Sequence, residues 1–233
     1  LTNPYLTFES NTRATYTLLE AIRLSGINLS SVVIASTDKS YGSYPAEKMP
    51  YREDFPLLAK YPYDVSKACA DMIAQSYATE IFNLPLIVTR FSNIYGPGQL
   101  NFSALFPDVI RSALDYSVFE PTGNGMQQRD YIYIDDVIQA NIKATKAKKN
   151  GTYNIGTGKP RSFQDIADIL QKELDTDFPT EYFPNPYDGY QIHTQADISS
   201  SKQYLNFQPK ITLEQGIITY LPEIRRLNGS EVV

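Results

Sequence analysis

Short, largely apolar runs alternate with stretches of helical periodicity along this chain, and that alternation limits the fold more than any other feature. Val32-Val33-Ile34-Ala35, Leu86-Ile87-Val88-Thr89-Arg90-Phe91 and Thr152-Tyr153-Asn154-Ile155 have the length of strands rather than of buried helices. Strands of this kind are covered on both faces, as in a parallel sheet. Between them, a helical pattern over about 4–25 closes at Gly26, a natural helix stop. A second opens at Pro62 and runs through Ala68, Ala70, Met72, Ile73, Ala74 and Tyr77 to Ile81. Further helices are predicted over Phe106 to Leu114, from a cap at Asp135-Asp136 to about Lys146, and over Leu213 to Leu227. Ser162 with Asp165 forms a capping-box pattern ahead of Ile166, Ala167, Ile169 and Leu170. Short strands are predicted near Val118-Phe119 and over Tyr131 to Ile134. Strand and helix in alternation predict an α/β fold on a parallel sheet. Ligands bind such sheets at the carboxyl ends of the strands, and Ser36-Thr37 and Ser92-Asn93 stand at those ends.

Composition excludes several classes. A net charge of -5, with no basic stripe beyond Lys146, Lys148 and Lys149, argues against a nucleic-acid partner. No apolar run approaches the ~18 residues of a membrane span, so no membrane partner is expected. One cysteine, Cys69, allows no internal disulfide and fits a reducing, cytoplasmic compartment. It falls within the Pro62 helical pattern and reads as a packing residue. His193 stands far from the other motifs, and no Cys/His cluster suggests a metal.

Chemistry concentrates around Tyr63-Asp64-Val65-Ser66-Lys67. With 18 tyrosines in 233 residues, about one Tyr-x-x-x-Lys match is expected by chance. Two occur, and local context separates them. Tyr44 to Lys48 lies between Pro45 and Pro50 in a polar loop, where four-residue spacing brings nothing together. Tyr63 and Lys67 open a helix and share one face of it. An ammonium beside a phenol favours the phenolate, so Tyr63 is expected to ionise below its usual value of about 10. Upstream, Thr37 offers a hydroxyl at a strand end, with Asp38 and Lys39 as an adjacent acid and base. Hydroxyl, phenol, ammonium and carboxyl together suggest redox chemistry coupled to removal of water.

Taken in order, these motifs resemble the extended short-chain dehydrogenase/reductase family, the NAD-dependent nucleotide-sugar epimerases and dehydratases. The resemblance rests on Asn11, Ser36 to Gly42, Pro62 to Lys67, Arg90-Phe91-Ser92-Asn93-Ile94-Tyr95-Gly96-Pro97-Gly98, Arg129 to Val137, and Tyr153-Asn154-Ile155-Gly156. It implies a Rossmann-like parallel sheet, N-terminally incomplete, with a smaller C-terminal α/β substrate-binding region. Residues 1–93 would be the remainder of the NAD-binding domain, with 130–155 returning to it. Residues 94–129 and 156–233 would hold the substrate. The family's G-x-x-G-x-x-G loop is absent, so roughly the first third of the family fold is expected to be missing. Gly156-Thr157-Gly158-Lys159 does not replace it, because the rest of a phosphate-loop motif is not there.

Among the residues after Thr37, Asp resembles the 4,6-dehydratases, and Asp-Lys resembles those acting on CDP-glucose; some UDP-N-acetylglucosamine dehydratases share it. The resemblance implies Thr37, Asp38, Lys39, Tyr63 and Lys67 as catalytic residues. It implies Ser36, Tyr63, Lys67 and Phe91 against NAD, and Asn93, Asn101 and Arg129 against a nucleotide sugar. Where relatives often place Arg before Pro-Gly-Asp, this chain has Asn185-Pro186-Tyr187-Asp188, which leaves Arg129 to grip the diphosphate. The expected reaction starts with proton removal from the C4 hydroxyl by Tyr63 and hydride transfer from C4 to NAD. Water then leaves across C5 and C6 with Asp38 as acid, and hydride returns to C6. A 4-epimerase using the same Tyr63, Lys67 and Thr37 is the alternative, and a truncated remnant unable to hold NAD is a second. A homodimer built on the helices near Pro4 to Ser25 and Tyr63 to Phe82 is expected.

Overall fold

A computed structural model describes residues 3–99, 104–115, 117–121, 123–184 and 191–227. Its first helical stretch is segmented into α1 (Pro4–Phe8), a π-helical segment over Glu9–Arg13, and α2 (Ala14–Ser25). The Asn3 side chain caps the start by accepting from the Leu6 amide at 3.1 Å. Gly26 ends α2 at φ 66°, a left-handed conformation that glycine adopts without strain. The sequence predicts a helix over about 4–25. Polar side chains at Asn11, Thr12 and Thr15 bond to backbone and to a neighbouring helix, and the ladder widens where they do so.

Strands β1 (Val32–Thr37), β2 (Leu86–Phe91) and β5 (Gly151–Ile155) form a parallel sheet in the order β1-β2-β5. Thr37 stands in register with Phe91, and Phe91 with Ile155. The central strand, β2, is buried along its whole length, which accounts for its apolar start at Leu86-Ile87-Val88. Helices α2 and α3 (Pro62–Tyr77) cover one face through Leu19, Ala74, Leu86 and Val88. Helix α5 (Ile134–Ala144) and the segment around α7 (Ser199–Leu205) cover the other through Ile87, Val137, Ala140, Leu205 and Phe207.

A second sheet joins β3 (Asn93–Tyr95), β4 (Gln128–Tyr133) and β6 (Pro160–Ser162), with β3 parallel and β6 antiparallel to β4. Helices α4 (Leu105–Asp115), α6 (Phe163–Leu174) and α8 (Leu213–Leu227) pack around it in a third cluster containing Val109, Ile110, Ile166, Leu170, Ile217 and Tyr220. The capping box at Ser162 and Asp165 is formed in both directions.

Several sequence expectations are corrected. Helix α3 stops at Tyr77 rather than Ile81, and the chain turns back through Asn83 at φ 52°. Near Val118-Phe119 the expected strand is reduced to an isolated bridge between Phe119 and Thr180. Asp135 and Asp136 do not cap α5; they lie inside its first turn, and Tyr133 occupies the cap position. The Asp136 carboxylate instead accepts from the Lys210 and Ile211 amides at 3.0 Å, tying the α5 start to the run into α8. Strands β3 and β6 and helix α7 carry too few residues for a periodicity to show.

Candidate active site

β1 ends at Thr37 and the chain turns at once through a short 3-10 segment, Asp38–Tyr41, whose cap is the Thr37 hydroxyl accepting from the Lys39 amide at 3.3 Å. This turn buries Asp38 at 5 % exposure, with Oδ1 3.9 Å from Lys39 Nζ and Oδ2 without a hydrogen-bond partner among the described residues. A buried carboxylate oxygen left unpaired is costly, and such groups mark sites completed by a ligand or solvent. Lys39 Nζ donates to Gln191 Oε1 at 2.7 Å, 152 residues away in sequence. Gln191 is itself held by Nε2, which donates to the Gly42 carbonyl at 2.7 Å and to Tyr51 Oη at 3.2 Å. Burial holds the Lys39 ammonium below its usual value, opposed by Asp38 and Asp64 and reinforced by Arg129.

Pro62 starts α3 because its fixed φ and missing N–H suit the first helical turn. Tyr63 follows, 43 % exposed at the mouth of the site. Ser66, on the same turn, donates to the Tyr63 carbonyl at 2.7 Å and accepts from Asn11 Nδ2 at 3.0 Å. The π-helical segment therefore fastens the start of α3.

The expected electrostatics of the Tyr63/Lys67 pair are corrected. Lys67 Nζ donates to the Ala35 carbonyl on β1 at 2.6 Å. Burial and then the nearby carboxylates of Asp64 and Asp38 push the Tyr63 phenol above its usual value, with no opposing ammonium. Burial lowers Lys67 while Asp71 raises it.

Tyr63 and Lys39 open onto a cavity of about 450 Å³, also lined by Lys60, Tyr61, Asp64, Asn93, Arg129 and Gln191, with Phe106, Tyr131 and Phe163 among its aromatic walls. Arg129, 4 % exposed, donates to the Gln128 carbonyl at 2.8 Å and lies 5.9 Å from the Phe163 ring centre. Asn93 reaches the cavity from β3, opposite Tyr131. Ser36 is buried with Oγ 3.4 Å from Ser40 Oγ, and the Phe91 side chain is a core residue. Asn101 and Asn185-Pro186-Tyr187-Asp188 lie outside the described residues. The amides of Thr157 and Gly158 donate to the buried Asp130 carboxylate at 2.8 Å, so this glycine-containing turn binds the protein's own anion rather than a phosphate.

Local sequence gives no signal for Gln191, which lies in coil far from every motif. Asp64, Lys60 and Tyr61 adjoin Tyr63, and only the fold shows that they face the cavity. Among the described residues no group of three His, Cys, Asp or Glu side chains is placed to hold a metal, and no helix is long and apolar enough to cross a membrane.

Comparison with known proteins identifies the family. The family model "NAD dependent epimerase/dehydratase family" matches residues 1–156, and the chain belongs to that family. A UDP-glucuronate 4-epimerase of Thermodesulfobacterium geofontis is 31% identical over 219 residues, 93% of this chain and 65% of the relative. A dTDP-glucose 4,6-dehydratase of Streptomyces griseus is 30% identical over 210 residues, 89% of this chain and 62% of the relative. This chain thus spans somewhat less than two thirds of these relatives. Among solved structures, the UDP-glucuronic acid 4-epimerase from Bacillus cereus in complex with UDP-glucuronic acid and NAD superposes with TM-score 0.85 at 29% identity, over 93% of this chain and 68% of that one. The UDP-glucose 4-epimerase of Thermotoga maritima with UDP-glucose superposes with TM-score 0.88 at 26% identity, over 97% and 72%. The fold is Rossmann-like, in a family of NAD-dependent nucleotide-sugar epimerases and dehydratases.

Proposed function

We propose that the protein carrying this chain is a nucleotide-sugar 4,6-dehydratase that turns an NDP-hexose into its 4-keto-6-deoxy derivative. One observation carries the reading: Asp38 is buried behind Thr37 with a carboxylate oxygen that no group among the described residues satisfies. Epimerisation at C4 needs no acid there, whereas expulsion of a hydroxyl needs a proton donor.

The donor set at the β1 end suits NAD. Two hydroxyls (Ser36 and Thr37), a phenol and an ammonium stand where open α/β sheets take their ligands, and they match a hydroxyl-rich ribose. Ser36, Tyr63, Lys67 and the Phe91 end of β2 would hold the cofactor, which supplies a reversible hydride acceptor when bound. Tyr63, after giving its own proton to solvent, would accept the proton of the C4 hydroxyl as phenolate, and the Thr37 hydroxyl hydrogen-bonds the C4 oxygen. Asp38 gives a proton to the departing C6 hydroxyl, while Lys39 removes or orients the C5 proton. Asn93 and Arg129 face the phosphate-bearing part of the substrate, Arg129 because a guanidinium pairs with phosphate oxygens two at a time. Residues 1–93, with 130–155, form the cofactor-binding part, and 94–129 with 156–233 the substrate part. The resemblance of the Asp38-Lys39 pair to the dehydratases acting on CDP-glucose supports that nucleotide sugar as substrate.

A 4-epimerase is the second reading, favoured by the relatives that carry that name. Incubation with NAD and CDP-, dTDP- or UDP-glucose, followed by mass spectrometry, separates the two. A product lighter by one water supports dehydration; an isomer of unchanged mass overturns it.

A further inference from the structure

We propose that Asp64 restricts this site to nucleotide sugars whose hexose is uncharged, excluding uronates, by presenting an unpaired carboxylate beside Tyr63 in the cavity. The inference rests on the nucleotide-sugar reading above, and it holds whether the reaction loses water or inverts C4.

Asp64 directly follows Tyr63 in the first turn of α3, and both line the cavity. Among the described residues it makes no hydrogen bond and no ion pair. Lys39, Lys60 and Arg129 line the same cavity, but none stands at ion-pair distance from Asp64: Lys60 lies 5.8 Å from the Tyr61 ring centre and Arg129 donates to the Gln128 carbonyl at 2.8 Å. Lys39 is engaged by Gln191 Oε1 at 2.7 Å, and its other close charge is Asp38 at 3.9 Å. Burial, with Asp38 adding to it and Lys39 opposing, raises the Asp64 carboxyl above its usual value, as expected where a further negative charge is poorly tolerated. Hydroxyl groups of a neutral hexose can donate to this carboxylate. A sugar carboxylate has no proton to offer at neutral pH and meets a like charge in a half-buried wall. The discriminating element is therefore repulsive, which is how close analogues are commonly told apart.

The test uses NAD-saturated protein in a Tyr63→Phe background, so that no turnover intervenes, with UDP-glucose and UDP-glucuronate as calorimetric probes. Sharing one nucleotide cancels any preference for the base; if only CDP- or dTDP-glucose binds, the matched pair of that nucleotide is used. The neutral sugar should bind more tightly by about tenfold or more. Asp64→Asn should narrow the ratio to about threefold or less by strengthening uronate binding, and Asp64→Glu should keep it. Equal binding, preference for the uronate, or a ratio unchanged in Asp64→Asn overturns the assignment. Failure of every nucleotide sugar to bind overturns the reading on which it rests, a distinguishable outcome.

Discussion

Lys67 donates to the Ala35 carbonyl at 2.6 Å, so the ammonium of the Tyr-x-x-x-Lys pair is directed to the end of β1 and not to the Tyr63 phenol. Helix α3 is thereby anchored to the strand that carries Thr37. The phenol, left with Asp64 and Asp38 as its charged neighbours, is shifted upward. In the protein without ligands Tyr63 should therefore be protonated at neutral pH and titrate above about 10. The difference in tyrosinate absorbance between wild type and Tyr63→Phe isolates this one phenol. Asp64→Asn should move the transition down, because it removes a carboxylate that disfavours phenolate. A Tyr63 transition below neutral pH would show that Lys67 reaches the phenol in solution.

Asp38 and Tyr63 divide the proposed chemistry. Tyr63→Phe should abolish turnover while leaving nucleotide-sugar affinity largely intact. Asp38→Asn keeps shape but removes the acid, and should slow water loss by about a hundredfold or more. Affinity in calorimetry should change little in either variant. Normal dehydration by Asp38→Asn would remove Asp38 from the reaction.

Much of this was legible in the chain, and the reason differs between parts. The run Leu86 to Phe91 announces a buried parallel strand because both its faces are covered, whereas Val32 to Ala35 forms an edge strand of the sheet, half-buried and with Ala35 exposed. Pro62 and Gly26 punctuate the helices through backbone constraints that act locally. Thr37, Asp38, Lys39 and Tyr63 stand out as candidates because strand end and helix start lie beside them in sequence. Gln191 was not, since its contact with Lys39 is made only when a coil 152 residues away folds across the turn. The direction taken by Lys67 was likewise hidden. Four-residue spacing places two side chains on one face but leaves a flexible ammonium to choose its acceptor, and the Ala35 carbonyl is set by β1, not by α3.

Arg90 and Asp71 join β2 to α3 inside the core. The guanidinium donates to both Asp71 oxygens at 2.8 and 2.9 Å, to Tyr41 Oη at 2.9 Å and to the Glu53 carbonyl at 3.1 Å. Both side chains are almost fully buried, at 2% and 0% exposure. Removing one partner strands a buried charge, so Arg90→Met should cost about 3–5 kcal/mol in urea unfolding. Replacing both with apolar residues of similar volume should recover much of that loss. An Arg90→Met protein of wild-type stability would mean that Asp71 finds another partner or a proton.

Glu53 supplies a pH dependence with a definite sign. Its Oε1 accepts from the Asn154 amide at 2.9 Å and its Oε2 from Ser200 Oγ at 3.3 Å. Burial nevertheless raises its carboxyl above the ordinary value of 4.5, and Asp197 adds to the rise. The folded protein therefore binds this proton more tightly than the unfolded chain. The resulting stability is fully present below 4.5 and is lost as pH rises through the higher folded value. At neutral pH the ionised group is a liability. Glu53→Gln keeps the acceptor for Asn154 and turns an amide toward Ser200, whose hydroxyl can accept. It should raise the melting temperature at pH 7 by a few degrees at most, with the advantage shrinking as pH falls toward the ordinary carboxylate range. Thermal unfolding of both proteins across that range checks it. A Glu53→Gln protein less stable than wild type at pH 7 would show that the Asn154 and Ser200 hydrogen bonds to the charged carboxylate outweigh its burial.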